Sequence, residues 1–198
     1  MFKYKLIDCL DFADSASFEA RLSGVCEERK IRISKLKNEK ARLESLGSSI
    51  ALEELLGACE INGPFIFAYG KTGKPYLTNK FSDGKDVYIS MTHKYPVAGA
   101  AVSDVPIGID IEKVGAYKTG IAERFFTENE QAFISKTNDE SERQLRFYKV
   151  WTFKEAYCKC KDISLSENLN TLEYDEKKCK HFVEGDFLVT IVNDVDNM

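Results

Sequence analysis

The chain has 198 residues with 28 basic and 32 acidic side chains, so its net charge is −4. This balance excludes a generally basic nucleic-acid-binding protein, although it allows a local basic patch. Hydrophobic residues make up 43% of the chain, which excludes global disorder and, at this length, provides a buried core for one large domain or two small ones.

The sequence predicts a reduced, cytoplasmic protein with no membrane and no nucleic-acid partner. No stretch is long and apolar enough to cross a bilayer, and charges interrupt the segment Met1 to Asp8, which therefore lacks a signal-peptide core. Six cysteines are present without a Cys-x-x-Cys pair, and only two histidines accompany them. This composition disfavours a zinc cluster and favours free thiols.

The first part of the chain predicts one strand, a long helical region and several short strands. Residues 2–10 alternate as a strand, and residues 17–56 have a helical period that predicts two helices. An apolar stripe on these helices consists of Leu36, Leu43, Leu46, Ile50, Leu52, Leu55 and Leu56. The next strands are predicted over residues 65–69, 87–91, 97–102 and 107–111.

The second part predicts a helix over residues 121–135, a helix over 142–161 and one or two strands within 182–192. No repeat and no Gly/Ser linker is visible in the sequence. A boundary near Val105-Pro106 would divide the chain into two nearly equal α/β halves, residues 1–105 and 106–198.

Asp110 and Glu112 are two residues apart on a predicted strand, so both project from one face. Two neighbouring carboxylates repel each other unless a cation neutralises them, and hard oxygen ligands suit Mg²⁺. The alternative is a solvated strand face with Lys113 nearby.

Glu155 and Lys159 share a helix face at i,i+4 spacing. They can serve a phosphate site, or they can form an ordinary surface ion pair. A further alternative is a capping box at Thr152 and Glu155, unless the residues before Thr152 belong to the same helix. Thr127 and Glu130 have the same capping-box spacing, which competes with a role of Glu130 at a metal.

Basic residues form a run on the predicted early helices, where a solvated face competes with binding of a terminal phosphate. The run consists of Arg29, Lys30, Arg32, Lys35, Lys37, Lys40 and Arg42. His93, after a predicted strand, can donate a hydrogen bond to a phosphate or be structural. Lys74 lies in the turn Gly73–Pro75, and the sequence contains no P-loop, no GxGxxG and no GxSxG.

The order of these segments resembles the 4′-phosphopantetheinyl transferases, in particular the larger type that activates surfactin-like peptide synthetases. The resemblance covers about residues 25–170. The segments that carry it are Gly73–Pro75, Ile89–His93, Pro106–Lys113, Arg124–Thr127 with Glu130, and Trp151–Tyr157 with Lys159.

The resemblance implies an α+β fold of two similar α/β halves with pseudo-twofold symmetry and coenzyme A in the cleft between them. It implies an enzyme that transfers the 4′-phosphopantetheine arm of coenzyme A to a serine of an apo acyl, peptidyl or polyketide carrier protein. The products are the holo carrier and 3′,5′-ADP. Because two halves supply a complete cleft, we expect a monomer.

The resemblance also implies roles for individual residues. Asp110, Glu112 and Glu155 bind Mg²⁺, or Mn²⁺ in its place, together with the coenzyme A pyrophosphate. Lys159 stabilises or protonates the leaving 3′,5′-ADP, and Glu130 or Glu155 helps to deprotonate the carrier serine. His93 touches a phosphate in the catalytic site. The expected coenzyme A contacts are Lys74, Arg29, Lys30, Arg42, Thr92, His93 and Lys159.

Two segments depart from the family pattern. Lys161–Leu165 lacks the glycine turn that usually follows the catalytic helix, so the loop toward the pantetheine arm is expected to differ. Glu44 stands near the place of an early arginine, with Arg42 as the closest basic residue, which affects the expected 3′-phosphate contacts. Two other functions compete. The same three carboxylates would serve a Mg²⁺-dependent nucleotide pyrophosphate hydrolase, and the altered loop Lys161–Leu165 favours a carrier-binding module without turnover.

Overall fold

A computed structural model describes residues 2–117 and 119–194 of the chain. The two predicted halves, residues 1–105 and 106–198, begin and end at residues 1 and 198, which lie outside this described part. The strands are β1 Phe2–Asp8, β2 Phe67–Tyr69, β3 Pro75–Leu77, β4 Tyr88–Lys94, β5 Val97–Ser103, β6 Ile107–Lys113, β7 Cys179–Glu184 and β8 Phe187–Asn193. The helices are α1 Ser15–Gly24, α2 Glu27–Ser34, α3 Glu39–Gly57, α4 Thr119–Phe125, α5 Glu128–Ser135, α6 Glu140–Lys161 and α7 Leu165–Asn168, with 3₁₀ turns at Cys9–Phe12 and Glu176–Lys178.

Two predicted helical regions are divided more finely than the periodicity indicated. The region 17–56 holds three helices instead of two. Asp14 and Asn38 accept hydrogen bonds from the backbone N–H of Ser17 and Ala41 and so start α1 and α3, whereas α2 starts after Cys26 without a side-chain cap. The region 121–135 holds α4 and α5, which are separated at Thr127. Side-chain caps at Asn38 and Thr127, which a period averages out, mark two of these boundaries.

The long helix predicted over residues 142–161 is confirmed as α6. Asp139 caps its start, so Thr152 lies three turns inside the helix, where its hydroxyl donates to the backbone oxygen of Tyr148 at 2.7 Å. A capping box at Thr152 and Glu155 is therefore wrong. The capping box at Thr127 and Glu130 is confirmed, with both reciprocal hydrogen bonds present at the start of α5.

The two three-stranded sheets have the same strand arrangement. In the first sheet the order is β1-β5-β4, and in the second it is β6-β8-β7. In each half, the first strand pairs antiparallel with the last one, and the last two strands form an antiparallel pair. A short third sheet consists of β2 and β3. The chain is thus a mixed α+β protein.

The two sheets pack face to face, and the long helices cover their outer faces. Ile107, Ile109 and Ile111 of β6 pack with residues of β8 and with Tyr4 and Leu6 of β1. On the outside, α3 buries its leucines against β4 and β5, and α6 buries Phe153, Ala156 and Cys160 beside β8. Buried apolar area of this kind contributes about 25 cal/mol per Å².

Edge strands of the two sheets meet along β4 and β6. The hydroxyl oxygens of Ser90 and Thr92 accept hydrogen bonds from the backbone N–H groups of Ile109 and Ile111, both at 3.1 Å. These bonds satisfy amides at the free edge of β6 that would otherwise be buried without partners. This junction, which we call the β4–β6 seam, joins the two three-stranded sheets.

The six cysteines are free thiols. Among the described residues, none of the helices has the length and apolar character that a membrane crossing requires.

Gly108 allows α6 to lie directly on β6. A Cβ atom at this position would stand 1.8 Å from the backbone oxygen of Ala156 and 2.6 Å from the backbone nitrogen of Cys160. Both of these are helix backbone atoms, which cannot move aside as a flexible side chain can.

We expect Gly108→Ala to lower the free energy of unfolding by about 3 kcal/mol or more, because overpacking forces α6 away from β6. Denaturant unfolding measures this change. Gly115→Ala is the matched control, since no atom lies within 4 Å of a Cβ built there. Equal unfolding midpoints for both variants would contradict the account of Gly108.

His181 lies between the polar side chains of Thr190 and Tyr174. One ring nitrogen is 2.8 Å from the hydroxyl oxygen of Thr190, and the other is 3.0 Å from the Tyr174 hydroxyl. Burial, aided by the positive charge of Lys149, lowers the pKa of His181 to about 4. Between this value and the ordinary pKa of histidine, the unfolded chain binds one more proton than the folded chain.

We therefore expect the stability that neutral His181 contributes to be full above about pH 6.5 and to be lost as the pH falls toward 4, by about 1–2 kcal/mol. Unfolding free energies of the wild type and His181→Gln at a series of pH values measure this effect. Their difference should shrink toward low pH. His93→Gln controls for loss of an imidazole at an exposed position, and a pH-independent difference for His181→Gln would sink the prediction.

Candidate active site

The packing of α6 on β6 brings acidic and basic side chains together at one end of the β4–β6 seam. Asp110, in the middle of β6, is only 4% exposed. Lys159 of α6 donates to Asp110 Oδ1 at 2.7 Å and to the backbone oxygen of Ile109 at 3.1 Å. The Thr92 hydroxyl donates to the same Oδ1 at 3.2 Å. Strand, helix and seam therefore fix one carboxylate.

The second oxygen of Asp110 is buried and has no hydrogen-bond partner among the described residues. A buried carboxylate oxygen without a partner is costly unless another group approaches it. This oxygen is the clearest open coordination position in the site.

Glu155 lies one helical turn before Lys159 and contacts Asp110. Burial and the negative charge of Asp110 raise the pKa of Glu155 to about 8, against the opposing effect of Lys159. Burial by itself would lower the pKa of Lys159, but the charges of Asp110 and Glu155 outweigh it and raise that pKa. The site therefore has more carboxylate than its own cations comfortably neutralise.

Glu112 projects from the same strand but is turned toward the first half of the chain. Its Oε2 atom lies 2.6 Å from the ammonium nitrogen of Lys94, at the end of β4. Burial lowers the pKa of Lys94, whereas the hydrogen bond and charge of Glu112 raise it and prevail. Each carboxylate of β6 thus has one lysine as a partner.

These acids fit a hard divalent cation. Within residues 2–117 and 119–194, no group of three or more His, Cys, Asp and Glu side chains lies close enough to hold a metal ion, and Glu112 pairs with Lys94. Nevertheless Asp110 and Glu155 touch, one oxygen of Asp110 has no partner, and all the donors are carboxylate oxygens, which Mg²⁺ and Mn²⁺ prefer. Asp110, Glu155 and, after release from Lys94, Glu112 would hold the ion.

A cleft of about 750 Å³ opens beside these residues. It lies between the turn 71–75 on one side and α6 with residues 163–166, at the start of α7, on the other. Met91, Glu155, Cys158 and Lys159 also line it. A volume of this size matches a typical small-molecule site.

The missing glycine after α6 does not prevent a left-handed helix end. Asp162 adopts that conformation itself, with φ 51° and ψ 47°, and its N–H donates to the Cys158 carbonyl. Aspartate tolerates this region better than most residues. Its carboxylate also accepts a hydrogen bond from Thr72, so the turn of the first half contacts the end of α6.

The side chain of Lys74 donates hydrogen bonds to backbone carbonyl groups. Its ammonium donates to the oxygen of Ile107 at 3.0 Å and to that of Lys159 at 2.5 Å. Burial lowers its pKa. Lys74 therefore joins the turn, β6 and the end of α6, although it also lines the cleft.

His93 lies inside β4, whereas the sequence placed it after the strand. It alternates with Thr92 and so points to the other face of the strand, where its Nδ1 atom is 3.6 Å from a carboxylate oxygen of Glu44. Glu44 also accepts a hydrogen bond from the backbone N–H of Tyr95 at 2.8 Å. An acid of α3 is thus the present partner of His93.

The basic residues predicted to hold the nucleotide are dispersed. Arg29 is buried and donates to the hydroxyls of Ser49 and Ser45 at 2.8 and 3.3 Å. Lys30 is near Glu27 at 3.6 Å. Arg42 lies 3.8 Å from Glu19 and over the ring of Phe18. The structure does not bring these three to the carboxylates of β6.

Glu130 belongs to a separate buried cluster. Besides its capping box, it forms an ion pair with Lys154 at 2.8 Å and accepts a hydrogen bond from the Tyr174 backbone at 2.8 Å. Lys154 is fully buried and also donates to the carbonyls of Leu169 and Leu172. Sequence reasoning assigned nothing to Lys154, because a lysine in a helix is ordinarily solvated.

Sequence reasoning also missed Ser90 and Lys94. Their alternation with Thr92 along β4 was the available signal, since residues two apart share a face of a strand. Glu44 was noticed only as a departure in the early helix, and its contact with His93 joins residues 49 apart.

Comparison with known proteins matches the part of the chain that carries these motifs. Residues 106–194 match the family model of the 4′-phosphopantetheinyl transferase superfamily. The chain is 29% identical over 148 residues to the 4′-phosphopantetheinyl transferase gsp of Aneurinibacillus migulanus, an alignment that covers 74% of this chain and 60% of the relative.

Two relatives of Bacillus subtilis are also similar. The 4′-phosphopantetheinyl transferase ffp is 39% identical over 105 residues, which cover 52% of this chain and 42% of the relative. The 4′-phosphopantetheinyl transferase Sfp of strain 168 is 31% identical over 105 residues, which cover 53% and 45%. The chain thus spans about half the length of the curated relatives it matches.

We expect Glu130→Gln to lower the free energy of unfolding by about 3–5 kcal/mol, because it leaves the buried Lys154 ammonium without a counter-ion. Glu128→Gln, an exposed substitution in the same helical turn, is the control. Denaturant unfolding at neutral pH measures both. If the two variants are equally stable, Glu130 does not have this structural role and its predicted catalytic role gains weight.

Proposed function

We propose, from the premise that residues 106–194 belong to the 4′-phosphopantetheinyl transferase superfamily, that this chain transfers the phosphopantetheine arm of coenzyme A to a serine of an apo carrier protein. The observation that supports this most directly is the Asp110 carboxylate, which lies between Glu155 and Lys159 with one buried oxygen left without a partner. Such a site suits a magnesium ion and a pyrophosphate beside it.

The reaction joins the carrier serine oxygen to the phosphorus that carries the pantetheine arm. The bond from that phosphorus to the bridging oxygen of the pyrophosphate breaks, and 3′,5′-ADP leaves with the bonding electron pair. The serine proton passes to a base. Enzymes assist such transfers mainly by positioning the reactants and stabilising charge.

Glu155 is the base we favour, acting directly or through a water molecule. It borders the cleft, whereas Glu130 is closed off by Lys154 and the Tyr174 backbone. A Mg²⁺ or Mn²⁺ ion held by Asp110, Glu112 and Glu155 would supply neutralisation of the pyrophosphate charge.

Lys159 is placed to stabilise the leaving group. Asp110 and the Ile109 carbonyl orient its ammonium, and it lines the cleft. A fixed cation in a partly dry site stabilises developing negative charge more strongly than water does.

The nucleotide contacts we propose are centred on Thr92 and His93 of β4. His93 would exchange Glu44 for a phosphate, and Lys30, which is near only an exposed acid among the described residues, could turn to the ligand. Arg29, Arg42 and Lys74 would have to leave the partners described above in order to contribute.

The two halves are proposed to be related by a pseudo-twofold axis. Their identical strand arrangement supports this, and so do the contacts on the far side of the β4–β6 seam. There β1 and β7 meet through Tyr4, whose ring lies 5.1 Å from that of Phe182 and whose hydroxyl donates to Glu184 at 3.1 Å. We also propose a cytoplasmic monomer with coenzyme A in the cleft between the halves.

Intact-protein mass spectrometry tests the function. The protein is mixed with coenzyme A, Mg²⁺ and a panel of apo acyl, peptidyl and polyketide carriers, with a metal-free control. A carrier mass gain of one phosphopantetheine arm that requires metal supports the proposal. Release of 3′,5′-ADP without a carrier would favour the pyrophosphate hydrolase instead, and coenzyme A binding without transfer would favour the binding module.

We expect Asp110→Asn to lower the transfer rate about 10²–10³-fold, because it removes a charge that positions both the metal and Lys159. Asp186→Asn is the matched control, since Asp186 is exposed and faces Lys113 outside the site. Initial rates from the same mass measurement compare the two, after unfolding curves show that both variants are folded. A rate near that of the wild type for Asp110→Asn would refute the assigned role.

A further inference from the structure

Lys94 occupies a position that the transferase reaction does not explain. Its ammonium lies 2.6 Å from Glu112, and the ammonium of Lys159 lies 2.7 Å from Asp110. The two β6 carboxylates carry two negative charges, and these two lysines carry two positive charges. The pair of ammonium groups therefore supplies the same charge as one divalent cation.

The two lysines differ in how firmly they are held. Lys159 extends from the long helix α6 and also donates to the Ile109 carbonyl. Lys94 is the last residue of β4, its side chain is 46% exposed, and Glu112 is the ion-pair partner that the described part of the chain offers it. A long side chain with one partner beside solvent can swing away at small energetic cost.

Glu112 has the opposite character. Its side chain is only 16% exposed, and it shares the face of β6 from which Asp110 reaches Glu155. Glu112 therefore completes the carboxylate set only if its ammonium partner gives way. Lys94 holds the Oε2 atom of Glu112, so a cation bound by Glu112 would draw on the same negative charge as the Lys94 ammonium.

We propose that Lys94 is a displaceable counter-ion that competes with the divalent cation for Glu112 and, once displaced, binds the pyrophosphate of the substrate. This inference rests on the proposed function, which provides the cation and the anionic substrate. Before the ion binds, the two carboxylates and the two lysines together are neutral. Binding of the divalent cation adds two positive charges to this group. The freed ammonium is then drawn to the phosphate oxygens.

The account predicts that removal of Lys94 has opposite effects on the two ligands. Lys94→Met should bind Mn²⁺ about two- to fivefold more tightly in the absence of coenzyme A, because the partly exposed Lys94–Glu112 ion pair no longer has to be broken. In saturating Mn²⁺, the same variant should bind coenzyme A more weakly than the wild type. Lys113→Met is the matched control, since Lys113 is similarly exposed and pairs with Asp186 outside the site.

Isothermal titration calorimetry measures both affinities, first with Mn²⁺ alone and then with coenzyme A at saturating Mn²⁺. Tighter Mn²⁺ binding and weaker coenzyme A binding in Lys94→Met, with Lys113→Met unchanged in both, supports the proposal. Unchanged or weaker Mn²⁺ binding in Lys94→Met overturns the competition, and absence of Mn²⁺ binding to both the wild type and Lys94→Met does so as well. Tighter Mn²⁺ binding with unchanged coenzyme A affinity overturns the transfer of Lys94 to the substrate.

These outcomes are separate from the fate of the proposed function. A chain that shows the opposite shifts but modifies no carrier retains the Lys94 exchange and loses the transferase assignment. A chain that modifies carriers but shows no shift in Mn²⁺ affinity retains the transferase assignment and loses the exchange.

Discussion

The direct packing of α6 on β6 at Gly108 is the contact on which the site depends. Helix backbone atoms stand where any side chain at this position would begin, so the helix approaches the strand more closely than side chains normally permit. Two residues along the strand, this closeness places Asp110 against Glu155 and Lys159. A larger distance between α6 and β6 would move these carboxylates apart and weaken their mutual repulsion.

The β4–β6 seam is the second contact that positions the side chains of the site. Two side-chain hydroxyls replace the backbone oxygens that a neighbouring strand would normally present to the edge of β6. Thr92 serves both needs, because its oxygen accepts from Ile111 and its hydrogen is donated to Asp110. Structural satisfaction of a sheet edge and orientation of a candidate metal ligand thus depend on one hydroxyl group.

The carboxylates of the site repel one another and are largely withdrawn from solvent. Burial and the negative charge of Asp110 raise the pKa of Glu155. A divalent cation bound beside Glu155 would offset both effects. The lysines already present neutralise only the β6 pair. If the proposed cation and anionic substrate bind here, each would neutralise the charge that the other introduces, so their binding would be cooperative.

Buried charge also stabilises the second half away from the cleft. Lys154 and Glu130 form an ion pair that carbonyl groups and a backbone amide complete. Such a pair is costly to break on one side only, because the remaining charge is left in a low-dielectric interior. The adjacent Lys154 and Glu155 of α6 consequently face different surroundings and have different tasks.

The sequence by itself determined the elements with strong periodicity and the motifs on them. The α6 helix, the strands around Asp110 and His93, and the capping box at Thr127 follow from local patterns, because period and capping are properties of neighbouring residues. The division of the early helical region did not follow, since α2 starts after Cys26 without a side-chain cap and only Asn38 marks the start of α3. Asp162 likewise adopted the turn conformation for which the sequence offered no glycine.

Only the tertiary structure decided which charges meet. The pairing of Lys94 with Glu112, of His93 with Glu44 and of Lys74 with carbonyl groups of the other half joins residues that are 18 to 85 positions apart. The same is true of the separation of Arg29 and Arg42 from the carboxylates. A linear pattern gives the face on which a residue lies, but charge pairing and burial depend on distances that exist only after the two sheets and α6 have packed.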